Sequence, residues 1–132
     1  MRILISIIFI ILIFACDGTQ KRRDSAKIEF EHLAYDLKKI RTKDSTTCLI
    51  KFRNKGIDTL KINKVSQSCS CVRVDWPHVS IAKNDSGEIK VVYYSEHPSV
   101  LSEVIYVYYN GSDSPTLISI SGTAEDVKSP TF

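Results

Sequence analysis

Glu88-Ile89-Lys90-Val91-Val92-Tyr93-Tyr94 and, beyond a loop at Glu96–Ser99, Glu103-Val104-Ile105-Tyr106-Val107-Tyr108-Tyr109 decide the fold class. Both stretches are rich in β-branched and aromatic residues, which suit a pleated, half-buried surface. In the first, Ile89, Val91 and Tyr93 share one face, opposite Val92 and Tyr94. In the second, Val104, Tyr106 and Tyr108 oppose Ile105, Val107 and Tyr109. Neither has the three- and four-residue apolar spacing of an amphipathic helix. The tyrosines lie on what read as adjacent strands, so cross-strand pairing accounts for them. A sugar- or peptide-binding platform is the alternative.

The same period of two extends outward from this centre. Ile28 and Phe30 alternate with Glu29 and Glu31 in Lys27–Leu33. Leu37–Asp44 reads as a polar connection. Cys48, Ile50 and Phe52 share a face in Thr46–Phe52, and Asn54-Lys55-Gly56 reads as turn chemistry, where Gly or Asn can take positive φ at little cost. Leu60 and Ile62 alternate with Lys61 and Asn63 in Thr59–Val65. Val72 and Val74 form a short strand that Trp76-Pro77 ends, and Val79 and Ile81 an edge-like piece. Lys83–Gly87 is a turn, and Ile118 and Ile120 alternate with serines in Leu117–Ser121. About seven or eight short strands at these spacings predict an all-β antiparallel sandwich. An antibody-type domain is set aside, because Trp76 follows all four cysteines instead of lying between two of them.

The amino-terminal segment is of another kind. Met1–Ala15 contains 13 hydrophobic residues, with Arg2 before the run. As a helix, Ile3–Ala15 would span roughly 20 Å, against about 30 Å for a bilayer core. That length suits a signal peptide. Ile13-Phe14-Ala15-Cys16 resembles a bacterial lipobox, which makes Cys16 the lipidated (palmitate-bearing) mature terminus. The expected organisation is a signal peptide at 1–15, a lipidated Cys16 and polar tether at 16–26, a sandwich at 27–124 and a polar tail at 125–132. The expected location is a bacterial cell envelope, with the domain in the periplasm or at the cell surface. Lys21-Arg22-Arg23 would attract anionic headgroups weakly. Asp17 resembles an inner-membrane retention signal in some bacteria, and the sequence leaves the choice of inner or outer membrane open.

With Cys16 taken by lipid, Cys48, Cys69 and Cys71 remain as a candidate disulfide or thiol site. On an extended strand, Cys69 and Cys71 would point the same way with Cα atoms about 6.6 Å apart, near the limit of disulfide reach. Three readings stand open. The cysteines are structural, with Cys48 bonded to one of the pair or all three buried as thiols. The pair is a redox-active dithiol. Or the three thiolates hold a soft metal such as Cu(I), with His78 the nearest further ligand. Zinc fits the spacing less well.

Charge and motifs exclude several classes. Eighteen basic residues against 15 acidic ones give a net charge of +3, too little for a strongly cationic nucleic-acid binder. The chain carries no G-x-S-x-G, no H-E-x-x-H and no phosphate-binding glycine loop. The expectation is therefore a non-enzymatic protein without a cofactor.

Phe52-Arg53-Asn54-Lys55-Gly56, Leu60-Lys61-Ile62, Ser68-Cys69-Ser70-Cys71 and Ile120-Ser121-Gly122 follow one another in an order that resembles domain-of-unknown-function family 1573. That pattern runs F-x-N-x-G, L-x-I, S-C-G-C-T, a Pro-Gly turn and a final I-x-G strand. The resemblance extends from about Ile28 to Ala124. Here Ser70 replaces Gly, Val72 replaces Thr, and Lys83–Gly87 stands in place of the Pro-Gly turn. The resemblance implies an exported bacterial protein with an immunoglobulin-like sandwich, and no molecular function. The expected role is that of a lipid-anchored module that binds an envelope protein or peptide through a strand edge. The alternative is a periplasmic thiol-redox or Cu(I)-handling protein that uses Cys69 and Cys71 with Cys48.

Overall fold

The computed structural model describes residues 26–126. The expected signal peptide, Cys16 and the tether up to residue 25 lie outside the described residues, as does the tail from residue 127. Within them the chain forms eight strands and no helix: β1 Ile28–Phe30, β2 Ala34–Arg41, β3 Ser45–Asn54, β4 Ile62–Ser66, β5 Val72–Asp75, β6 Ser86–Tyr94, β7 Ser99–Tyr109 and β8 Thr116–Glu125. They make two four-stranded sheets, ordered β1-β3-β6-β5 and β2-β8-β7-β4.

The alternation read from the sequence is what the sheets bury. The central ladder of the first sheet runs from Ser45↔Tyr94 to Arg53↔Ser86. It turns Cys48, Ile50 and Phe52 inward with Ile89, Val91 and Tyr93. In the second sheet, β7 and β8 pair from Ser99↔Ala124 to Val107↔Thr116. They present Leu101, Ile105, Val107, Ile118 and Ile120 to the same core. Ile50, Ile89, Ile105 and Ile118 are wholly buried, and each such side chain contributes about 1.5–3 kcal/mol of apolar burial. Ala26, the first of the described residues, is also buried in this core at 2% exposure.

Four expectations change. Leu37–Asp44 is largely strand, because β2 runs through Ala34–Arg41. A bulge between Asp36 and Lys39, with Lys38 at φ 58°, interrupts its alternation. This strand also pairs parallel to β8, so the sandwich is not wholly antiparallel. The strand expected at Thr59–Val65 shifts to Ile62–Ser66; Leu60 only bridges to Ile81, while Val79 is exposed. Finally, β6 and β7 lie in different sheets. Tyr93 and Tyr94 therefore do not pair with Tyr106, Tyr108 and Tyr109, and no common tyrosine platform forms.

In Asn54-Lys55-Gly56 neither Asn54 nor Gly56 takes a positive φ. Asn54 is fully buried. Its Nδ2 donates to the carbonyls of Asp58 (2.7 Å) and Ile81 (3.0 Å), and its Oδ1 accepts the Gly56 N–H (2.9 Å). The motif holds the exit of β3 with side-chain hydrogen bonds.

Candidate functional site: the Ser68–Cys71 crossing

The chain leaves β4 at one sheet's edge and enters β5 at the edge of the other. Residues 67–71 make that crossing and contain Ser68-Cys69-Ser70-Cys71. Ser70 and Cys71 form a turn, so the two cysteines are not on an extended strand as expected. Their Cα atoms are 5.2 Å apart and their sulfurs are bonded. The turn shortens the span that a straight strand would impose, and this brings the pair within reach of a bond. The Cys71 N–H donates to Cys69 Sγ at 3.1 Å.

Cys48 is not joined to them. It is a buried thiol on β3, opposite Val91. Burial pushes that thiol up from its ordinary value, so it stays protonated and weakly nucleophilic at neutral pH. His78 is exposed, with its ring 5.0 Å from that of Trp76. Among the described residues no three of His, Cys, Asp and Glu gather where they could hold a metal ion.

The crossing has a second fastening that the sequence did not single out. Glu103, on the inner face of β7, is 3% exposed. Its Oε1 accepts the Ser68 N–H, the Ser68 hydroxyl at 2.8 Å and the Cys69 N–H at 3.3 Å. The β4–β7 register explains the contact. Ser66 lies opposite Tyr106, so the same register would set Cys69 against Glu103. The chain quits the ladder first, and the carboxylate takes the N–H groups that the strand no longer satisfies. The available signal was the position of Glu103 in phase with Leu101, Ile105 and Val107, but a charged residue there reads as a strand boundary.

The crossing also covers one end of β5. Cys71 C=O accepts the Tyr94 N–H, so Cys71, Arg73 and Asp75 point their backbone groups at β6. Val72 and Val74 point theirs outward. The Val72 N–H donates to Cys69 C=O at 3.4 Å, and its carbonyl accepts from Gln67 Nε2 at 3.4 Å. The outward groups of Val74 have no strand beside them. A separate open groove of about 810 Å³, lined by Glu29, Phe30, Lys51, Arg53 and Gly87 among others, lies at the other edge. Its charges are partly self-paired, as in Lys55–Glu29 at 3.6 Å.

Two facing four-stranded sheets, joined at one edge by a disulfide-bearing crossing, define an immunoglobulin-like β-sandwich. The chain belongs to the family of proteins of unknown function DUF1573, whose pattern it matches over residues 28–124. It is similar in structure to a protein of unknown function from Porphyromonas gingivalis W83, with a TM-score of 0.63 and 14% identity, covering 83% of this chain and 51% of that one. The chain thus spans about half the length of that protein. It is also similar to the ASH/PapD-like domain 7 of human CEP192, with a TM-score of 0.70 and 8% identity, over 83% of this chain and 93% of that one. A likeness to the VesB protease of Vibrio cholerae covers 77% of this chain but 32% of that one, with a TM-score of 0.56 and 11% identity. At these identities the likenesses define the fold alone. No curated protein matches the chain.

Proposed function

We propose that this protein is a lipid-anchored module of the bacterial cell envelope that binds an extended segment of a protein or peptide partner by adding it as a strand to the β5 edge. The anchor is Cys16, exposed by cleavage after Ala15. The observation that carries the edge assignment is the outward backbone of Val74. Each of the other edges carries a feature that discourages pairing. β2 is bulged and bears Lys38, Lys39 and Arg41. The β4 ladder is irregular between Ile62 and Lys64, and β1 has 3 residues. β5 pairs without a bulge.

Val74→Pro tests the edge. Proline is tolerated where the N–H faces away from the ladder, so the sandwich should persist while strand addition fails. The envelope partner crosslinked to wild-type protein should be lost from V74P at unchanged Tm; equal capture by both sinks the reading. Mass spectrometry of the protein from membranes tests the anchor. Cleavage before Cys16 with acyl chains on it is the expected result, and an intact Met1–Ala15 refutes it.

A second reading has its own support in the Cys69–Cys71 bond and in the Cys71 N–H that meets Cys69 Sγ. In this reading the pair is a reversible dithiol/disulfide. Cys48 takes no part, being a buried thiol without a bond to either. Equilibration with a defined series of thiol/disulfide buffers, read by intact mass, should show a two-electron transition confined to Cys69 and Cys71.

A further inference from the structure

Among the described residues Glu103 is the one buried charged side chain, and it sits against the cysteine crossing. A single oxygen of the Glu103 carboxylate accepts three hydrogen bonds there. The other charged groups on the strands that meet the crossing are Lys64 on β4, Arg73 and Asp75 on β5, and Glu88 and Lys90 on β6, all of them exposed. Water screens those charges far more than it screens a buried one. Tyr93, on the inner face of β6, engages Ser99 Oγ at 3.0 Å; Tyr94 on that strand is exposed.

Reduction of the pair changes its charge. A thiolate of a dithiol reductant attacks one sulfur, the Cys69–Cys71 bond breaks, and the displaced sulfur leaves as a thiolate. The reductant's second thiolate resolves the mixed disulfide, leaving the reductant as its own disulfide and both cysteines reduced. Two electrons have then passed to the protein. Above the ordinary thiol pKa of about 8.5 the products are anions; below it they take up two protons and are neutral. The Cys71 N–H stabilises negative charge on Cys69 Sγ, whereas a neighbouring carboxylate opposes it.

We infer that Glu103 is the positioning residue of this pair: its carboxylate holds the Ser68–Cys69 backbone beside β7, and its negative charge biases Cys69 and Cys71 toward the disulfide. This rests on the dithiol reading above. The bias is electrostatic, so it grows as the reduced cysteines ionise. A purely structural clasp would act equally at every pH.

Glu103→Gln keeps the shape and an oxygen acceptor but removes the charge. At about pH 9, reduction of E103Q by a small-molecule dithiol should be about tenfold more favourable than reduction of wild type, equivalent to about 30 mV. At about pH 6, where the products are neutral thiols, the difference should fall below about twofold. Ser68→Ala, which removes a donor and no charge, should show no such pH dependence. Wild-type protein alone offers a second measurement. At equal thiolate concentration, an anionic thiol (2-mercaptoethanesulfonate) should open the bond more slowly than a cationic one (cysteamine). An E103Q potential equal to wild type at about pH 9, a shift of one size at both pH values, or equal rates with the two thiols overturns the inference and leaves the dithiol reading standing. A pair that resists reduction across the whole buffer series overturns the dithiol reading itself.

Discussion

Asn54 donates twice and accepts once through its side chain while its backbone N–H and C=O meet Asp85 and Asn84 at 2.9 and 2.8 Å. One residue therefore joins the end of β3 to the loops on both sides of it. Asn54→Ala leaves the buried Gly56 N–H and the Asp58 carbonyl without these partners, while the Ile81 carbonyl keeps the Leu60 N–H; it should cost about 2 kcal/mol, read as a lower denaturation midpoint at unchanged slope. Asn54→Asp should cost more, because it sets a buried carboxylate against two carbonyl oxygens. Gly87 is a steric case. It lies opposite Phe52 in the β3–β6 ladder, and a Cβ there would stand 2.6 Å from the Phe52 ring. Gly87→Ala should cost about 1–3 kcal/mol by forcing the ring aside, measurable as a fall in Tm. Both residues were visible in the sequence, Asn54 in a family motif and Gly87 in an expected turn. Neither role was, because each depends on neighbours brought in from elsewhere: Ile81 for Asn54, Phe52 for Gly87.

Strands whose alternation is unbroken were legible as elements. β3, β6 and the middle of β7 needed no tertiary information, since each buries every second residue. Legibility failed where tertiary pairing overrides local pattern. β2 hides behind its bulge, and β7 begins at Ser99 rather than Glu103 because the buried carboxylate looks like a surface residue. Position within a sheet also sets local stability. β7 and β8 pair with each other along most of their length and also have β4 and β2 outside them. Their amides should be the slowest to exchange with deuterated water. Those of β1 and β5, short and at sheet edges, should be among the fastest. Slow exchange in β5 of the isolated protein would count against an open edge there.

At the scale of the molecule, burial makes stability depend on pH at the alkaline end. It pushes both the Cys48 thiol and the Tyr109 phenol up from their ordinary values. The unfolded chain therefore loses these protons first. With fewer protons bound in the unfolded state, stability falls as pH rises past those ordinary values. Urea unfolding at a series of pH values should show the decline beginning near pH 9. Cys48→Ala should cost about 1 kcal/mol at neutral pH through the small cavity it leaves, and should make the first part of that decline shallower.

Alternation, turn residues and the order of family motifs are local properties, and they sufficed for an all-β immunoglobulin-like sandwich, its inner face and the special standing of Ser68-Cys69-Ser70-Cys71. Period two says which side of a strand is buried but not which strand lies beside it. Pairing across sheets depends on burying all the inner faces together, so the parallel β2–β8 pair, the separation of β6 from β7 and the β5 edge emerged only with the fold. The cysteines divide the same way. Their count and spacing made them candidates, whereas the turn at Ser70, the core site of Cys48 and the Glu103 carboxylate come from a crossing between sheet edges that residues far apart in the chain create.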